Sequence, residues 1–147
     1  MKVVHIVVGV GCIVFVAGAA GWGAWSWYRV NHGRLFWRLL RAGQACVVLE
    51  AALGGVLLAL GYKESDLHLI YGLLPIAVSF VGEQLRIASA QTVLDSRGLE
   101  SAAAVGELPK EEQNQVVVSI VQRELGVMVL TAVVMLALLI RAWGTAP

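Results

Sequence analysis

Three side chains in this sequence could do chemistry, and each stands out because of where it lies. Glu50 falls near the middle of an apolar run from Ala42 to Tyr62, where an ionisable group is expensive enough to suggest a function by default. Burial disfavours its charged form, so taking up a proton is the cheapest escape. A protonated acid there could donate to a backbone carbonyl or to a hydroxyl such as Ser79 or Thr131, which fall at similar depth. The sharper uses are a proton relay, a ligand for a quinone head, or a contact with another membrane subunit.

His5 and His68 are the other two. Counting through both intervening loops matches residue n of the first apolar stretch with roughly n plus 60 of the third, at about 1.5 Å of rise per residue. The two histidines then stand within a turn of one height. Two imidazoles facing across a helical bundle can hold a b-type haem. Gly9 and Gly11, close to His5, leave room for a flat ring, and Tyr71 with the carbonyls loosened by Pro75 could orient it. The alternative is two unrelated histidines at helix ends. His5, His68 and Glu50 are thus the candidate cofactor-binding residues, with haem or quinone the candidate cofactors. His32 lies in a basic loop and reads as solvated. The sequence has no nucleotide-binding glycine loop, no zinc-type cysteine spacing and no nucleophile motif, so no catalytic or metal residues are assigned.

The elements that must position these groups are apolar. The chain has 147 residues, 59% of them hydrophobic and 14% charged, with mean hydropathy +0.77, whereas a soluble domain is about a quarter charged. The expected fold is all-α: a four-helix, up-down-up-down transmembrane bundle forming a single domain over residues 1–147. Its spans are expected at about residues 3–26, 42–62, 67–82 and 120–141, each near the 20 or so residues that cross a bilayer. A cleavable signal peptide competes for the first, because Lys2 precedes an apolar run and Ala17-Gly18-Ala19 resembles a cleavage site. Against it, the run continues into Trp22, Trp25, Trp27 and Tyr28, which suit a helix end at the lipid headgroups. Ala17, Gly21 and Ala24, facing Ala51 and Gly55, should let the first two spans pack closely. Cys12 and Cys46 are expected several residues apart in height, which disfavours a disulfide.

Ser65 or Asp66 should cap the third helix, Pro75 should kink it, and Gly98 should end it. Pro109, Glu111 and Glu112 mark the start of the last helix. Residues 83–119 are therefore expected to form a helical hairpin, extending helices three and four about 20 Å beyond the bilayer. With a turn near residue 103, facing residues should have numbers adding to roughly 207. Glu83 would then face Arg123, and Arg86 would lie within a turn of Glu124.

Arg29, Arg34, Arg38 and Arg41 share a segment with no acidic residue. Between two spans this is the mark of a cytoplasmic loop rather than of nucleic-acid binding. Both termini are accordingly expected outside the cytoplasm of a multi-pass cell-membrane protein. The expected role is a non-enzymatic scaffold or accessory subunit whose hairpin engages partners, with the lipid bilayer, another membrane protein or a second copy as its contacts. The alternative is a small redox protein. In a background lacking Cys12 and Cys46, Lys63→Cys should react with an impermeant thiol reagent on intact cells and Ser101→Cys should not; the reverse pattern would overturn the orientation.

Overall fold

A computed structural model describes residues 2–31 and 33–146; His32, expected to be solvated, lies outside the described residues. Those residues form α1 (Lys2–Tyr28), α2 (Arg34–Ala59), α3 (Asp66–Ser96), a single turn α4 (Ala102–Val105) and α5 (Lys110–Gly144), with no strand among them. α1, α2, α3 and α5 are each long and apolar enough to cross a membrane.

The connection from α1 to α2 sets the geometry of that pair. Asn31 N–H donates to Ser26 O and Arg29 N–H to Trp25 O, closing α1 around Val30 at φ 52°. That left-handed conformation is costly for a β-branched residue, and it turns the chain back within residues 29–33. The expected basic loop is consequently shorter than the sequence suggests, because residues 34–41 are already helix. Side chains that face across the pair have numbers adding to 59: a Cβ on Gly23 would meet Phe36, one on Gly43 would meet Val16, and one on Gly9 would meet Glu50. The close approach is thus made by Gly9, Gly23 and Gly43. Gly21, Ala24 and Gly55, the expected contact residues, are exposed instead. The same register corrects the cysteines. Cys46 packs against the cluster that buries Cys12, so the two free thiols lie at one level.

α5 is the helix around which the others gather. Leu125, Met128, Val129 and Ala132 join Ala19, Ala20, Phe36 and Leu40 in one core cluster, and Met135 and Leu139 join Cys12, Val16 and Val47 in a second. α3 runs along α5 with Gly82 against Thr131, and it continues as helix through Pro75. Ser65 caps α3 by accepting from His68 N–H at 3.1 Å, and its hydroxyl donates to Thr145 O at 2.9 Å. Gly98, at φ +67°, ends α3 as expected, with Leu99 N–H returning to Leu94 O.

Facing residues of α3 and α5 have numbers adding to 210, as in Ser65 with Thr145, His68 with Ala142 and Arg86 with Glu124. The expected register is off by about one helical turn. The connection is not a symmetric turn: α4 folds beside the start of α5, where Gln113 donates to Gly106 O and Leu108 O. Arg86 does reach Glu124, at 3.9 Å. Glu83 does not face Arg123; it pairs with Arg41 of α2 and with Arg86, and Arg123 is exposed. A Cβ on Gly82 would lie 2.6 Å from Thr131 Cγ2, so Gly82→Val should separate α3 from α5 and cost about 1–3 kcal/mol. Gly55→Val, with nothing within 4 Å, should leave thermal unfolding in detergent nearly unchanged; equal effects at both sites would contradict the packing.

Candidate functional site

Among the described residues, α2 and α3 are joined by polar contacts at one end. Gln44 Nε2 donates to Ser79 Oγ at 2.7 Å, and Arg41 donates to both Gln44 and Glu83. Both guanidiniums also approach Trp37, with Arg41 Cζ 5.8 Å and Arg86 Cζ 5.5 Å from its ring centroid. Toward the other end, where α1 begins and α5 ends, a cavity of about 240 Å³ opens among α1, α2, α3 and α5. Its walls include Gly9, Gly54 and Gly72 beside Leu57, Leu69 and Leu139. Ile6 and Leu73 line it and are also exposed on the outer surface of the bundle, so it opens sideways between helices.

His5, Glu50 and His68 all line this cavity. They come from three helices, and each is placed by a feature already described. Glu50 faces α1 because Gly9 has no side chain there; a Cβ on Gly9 would sit 2.7 Å from Oε1. His5 lies one turn further along α1, with its Nδ1 3.1 Å from Glu50 Oε1. His68 follows the Ser65 cap in the first turn of α3, and its Nδ1 is 2.9 Å from Ala142 O. The imidazole centroids of His5 and His68 are 6.1 Å apart, edge to face at 70°.

The chemistry follows from which atoms are satisfied. Ala142 O can only accept, so His68 Nδ1 carries the proton and, in the neutral ring, Nε2 remains an acceptor. The approach of His5 to Glu50 is close but not aligned as a hydrogen bond; His5 Nδ1 and Glu50 Oε2 are both buried without a partner. A buried carboxyl oxygen left without a partner costs about 1–3 kcal/mol, and such an atom calls for an explanation. Neither expected partner of Glu50 supplies one. Ser79 is taken by Gln44, and Thr131 Oγ1 bonds back to Val127 O, because both lie toward the far end of the bundle from Glu50.

For a bis-histidine haem the 6.1 Å between ring centroids suits two imidazoles on one iron, and the contact of His68 Nδ1 with Ala142 O leaves its Nε2 free. The cavity is the obstacle. At about 240 Å³ it falls below the roughly 300–1,000 Å³ of drug-sized pockets, and a macrocycle would have to turn the edge-to-face rings and part the helices behind them. Among the described residues no group of three histidine, cysteine or acidic side chains could hold a metal ion. Sequence reasoning missed Gly54 and Trp143 as lining residues, and it missed the Arg41, Gln44, Ser79 and Glu83 network; single glycines, tryptophans and serines in apolar helices carry no signal that marks such contacts. No family model, curated protein or solved structure matches this chain.

Proposed function

We propose that the chain is a four-span, up-down-up-down membrane protein with both termini outside the cytoplasm, and that its cavity binds the ring of a lipid-soluble quinol. Four sufficiently long apolar helices and the arginine-rich connections support the placement. The observation that carries the ligand is the Glu50 carboxyl, which lines an apolar cavity, lies 3.1 Å from His5 without bonding to it, and has no partner for Oε2. An acceptor left bare in such a place suits a ligand that brings a hydroxyl. His68 Nε2 offers a second acceptor nearby. The lining glycines leave room for one flat ring, and the lateral opening beside Ile6 and Leu73 gives an apolar tail a way to the lipid. Haem, the other expected cofactor, is the poorer fit on volume.

A second role is compatible with this one. Beyond the level at which α1 ends, α3 and α5 continue as a hairpin that exposes Val117 and Val118. These residues support the scaffold reading, in which the hairpin engages a partner protein in the cytoplasm while the bundle holds its ligand.

The test is a titration in nanodiscs with a decyl-substituted benzoquinol, the matching benzoquinone and decanol. The quinol should bind at least about tenfold more tightly than the quinone, because its hydroxyls can donate to both the Glu50 carboxyl and His68 Nε2, whereas the quinone can only accept from a protonated Glu50; tenfold is about 1.4 kcal/mol, within reach of one hydrogen bond to a buried acceptor. Glu50→Leu should weaken quinol binding, and Glu50→Gln, which keeps a carbonyl acceptor, should weaken it less. Equal affinity for quinol and quinone, or unchanged binding to Glu50→Leu, would contradict the proposal.

A further inference from the structure

The chain contains no acidic residue before Glu50, yet it carries Arg29, Arg34, Arg38 and Arg41 in that stretch. Tertiary structure neutralises only the last of them. Arg41 and Arg86 take Glu83, and Arg86 also reaches Glu124, so the two carboxylates at this level are already engaged. Arg29, Arg34 and Arg38 are exposed and form no ion pair among the described residues. Arg123 joins them. Its neighbour Gln122 donates to Trp27 O at 2.8 Å, which sets Arg123 beside the end of α1, exposed and likewise without an ion pair.

These four cations surround one level of the bundle, on the end of α1, the first turns of α2 and the adjoining turn of α5. Aromatic side chains mark the depth of that level. Trp22, Trp25, Trp27 and Tyr28 are exposed on the last turns of α1, and Arg29 Cζ stands 5.4 Å from the Trp25 ring centroid. Tryptophan and tyrosine collect where a bilayer meets water, and a guanidinium there meets the phosphates of the headgroups, which it can bind through two parallel hydrogen bonds.

We infer that Arg29, Arg34, Arg38 and Arg123 form a collar that binds the headgroups of anionic phospholipids in preference to zwitterionic ones. The collar rests on the four-span placement and is independent of the quinol. Its occupant is a lipid because the arginines are distributed around the bundle at headgroup depth and do not converge on one pocket.

The test uses the full chain in nanodiscs of equimolar phosphatidylglycerol and phosphatidylcholine, followed by native mass spectrometry of the lipids retained after release. The wild type should retain phosphatidylglycerol about tenfold over phosphatidylcholine, because each arginine near an anionic surface contributes roughly a fivefold preference and some of it is screened. The variant Arg29→Gln/Arg34→Gln/Arg38→Gln/Arg123→Gln should fall to the bulk ratio, whereas Arg97→Gln/Lys110→Gln, at the hairpin tip, should behave as wild type. If the fourfold variant does not fold, raising sodium chloride from about 0.05 to about 0.5 M during release, which shortens the screening length from about 14 Å to about 4 Å, should lower the wild-type preference several-fold. No enrichment in the wild type, enrichment that survives the four substitutions, or enrichment insensitive to salt would overturn the collar. Failure of the protein to enter nanodiscs at all would overturn the four-span placement itself.

Discussion

The register of α1 against α2 is the constraint on which the rest depends. It is set by a five-residue connection through a strained Val30 and by Gly9, Gly23 and Gly43, each of which leaves space that a facing side chain fills. Once Phe36 sits over Gly23 and Val16 over Gly43, Glu50 has one place to go, beside Gly9 and within reach of His5. In a bilayer this kind of fit matters more than in water, because lipid offers no hydrophobic drive for two helices to associate. Close backbone approach supplies the attraction, and it carries the carboxyl of α2 to a defined wall.

Two polar centres then divide the bundle between them. At the hairpin neck every carboxylate has a cation: Glu83 takes Arg41 and Arg86, and Glu124 takes Arg86, with the Trp37 ring near both guanidiniums. That network ties α2 to α3 at one end. At the other end no comparable network joins those two helices, the space between them is open, and Glu50 and His5 approach without satisfying each other. A saturated centre that fixes geometry and an unsaturated centre that faces a cavity have different uses, and the second is where a ligand gains most from binding.

Much of this was legible in the sequence, in the places where local chemistry decides the outcome. The four apolar helices, the Ser65 cap, the Gly98 stop and the start of α5 after Pro109 follow from residues acting on their own neighbours. The height of His5 relative to His68 also came through, because errors in the two intervening loops partly offset each other. What failed depended on the length and shape of connections. Residues 34–41 look like a loop because they are basic, and their being helical moves Cys46 level with Cys12. The small turn α4 lies beside the start of α5 instead of extending the hairpin symmetrically, which separates Arg123 from Glu83, although the expected approach of Arg86 to Glu124 survives. The partners of Glu50 were misjudged for the same reason, since Ser79 and Thr131 are matched to it only if every loop is counted at its apparent length.

The central claim is that the cavity bearing Glu50 holds a lipid-soluble ring. Photolabelling with a decyl-quinol that carries a diazirine on its ring tests it most directly, with the modified residues located by peptide mass spectrometry. The account predicts labels within residues 5–13, 47–58 and 64–73, on the three helices that bring His5, Glu50 and His68 together, and loss of those labels when unmodified quinol competes. Labels spread evenly over the exposed apolar surface, or confined to the hairpin, would contradict it.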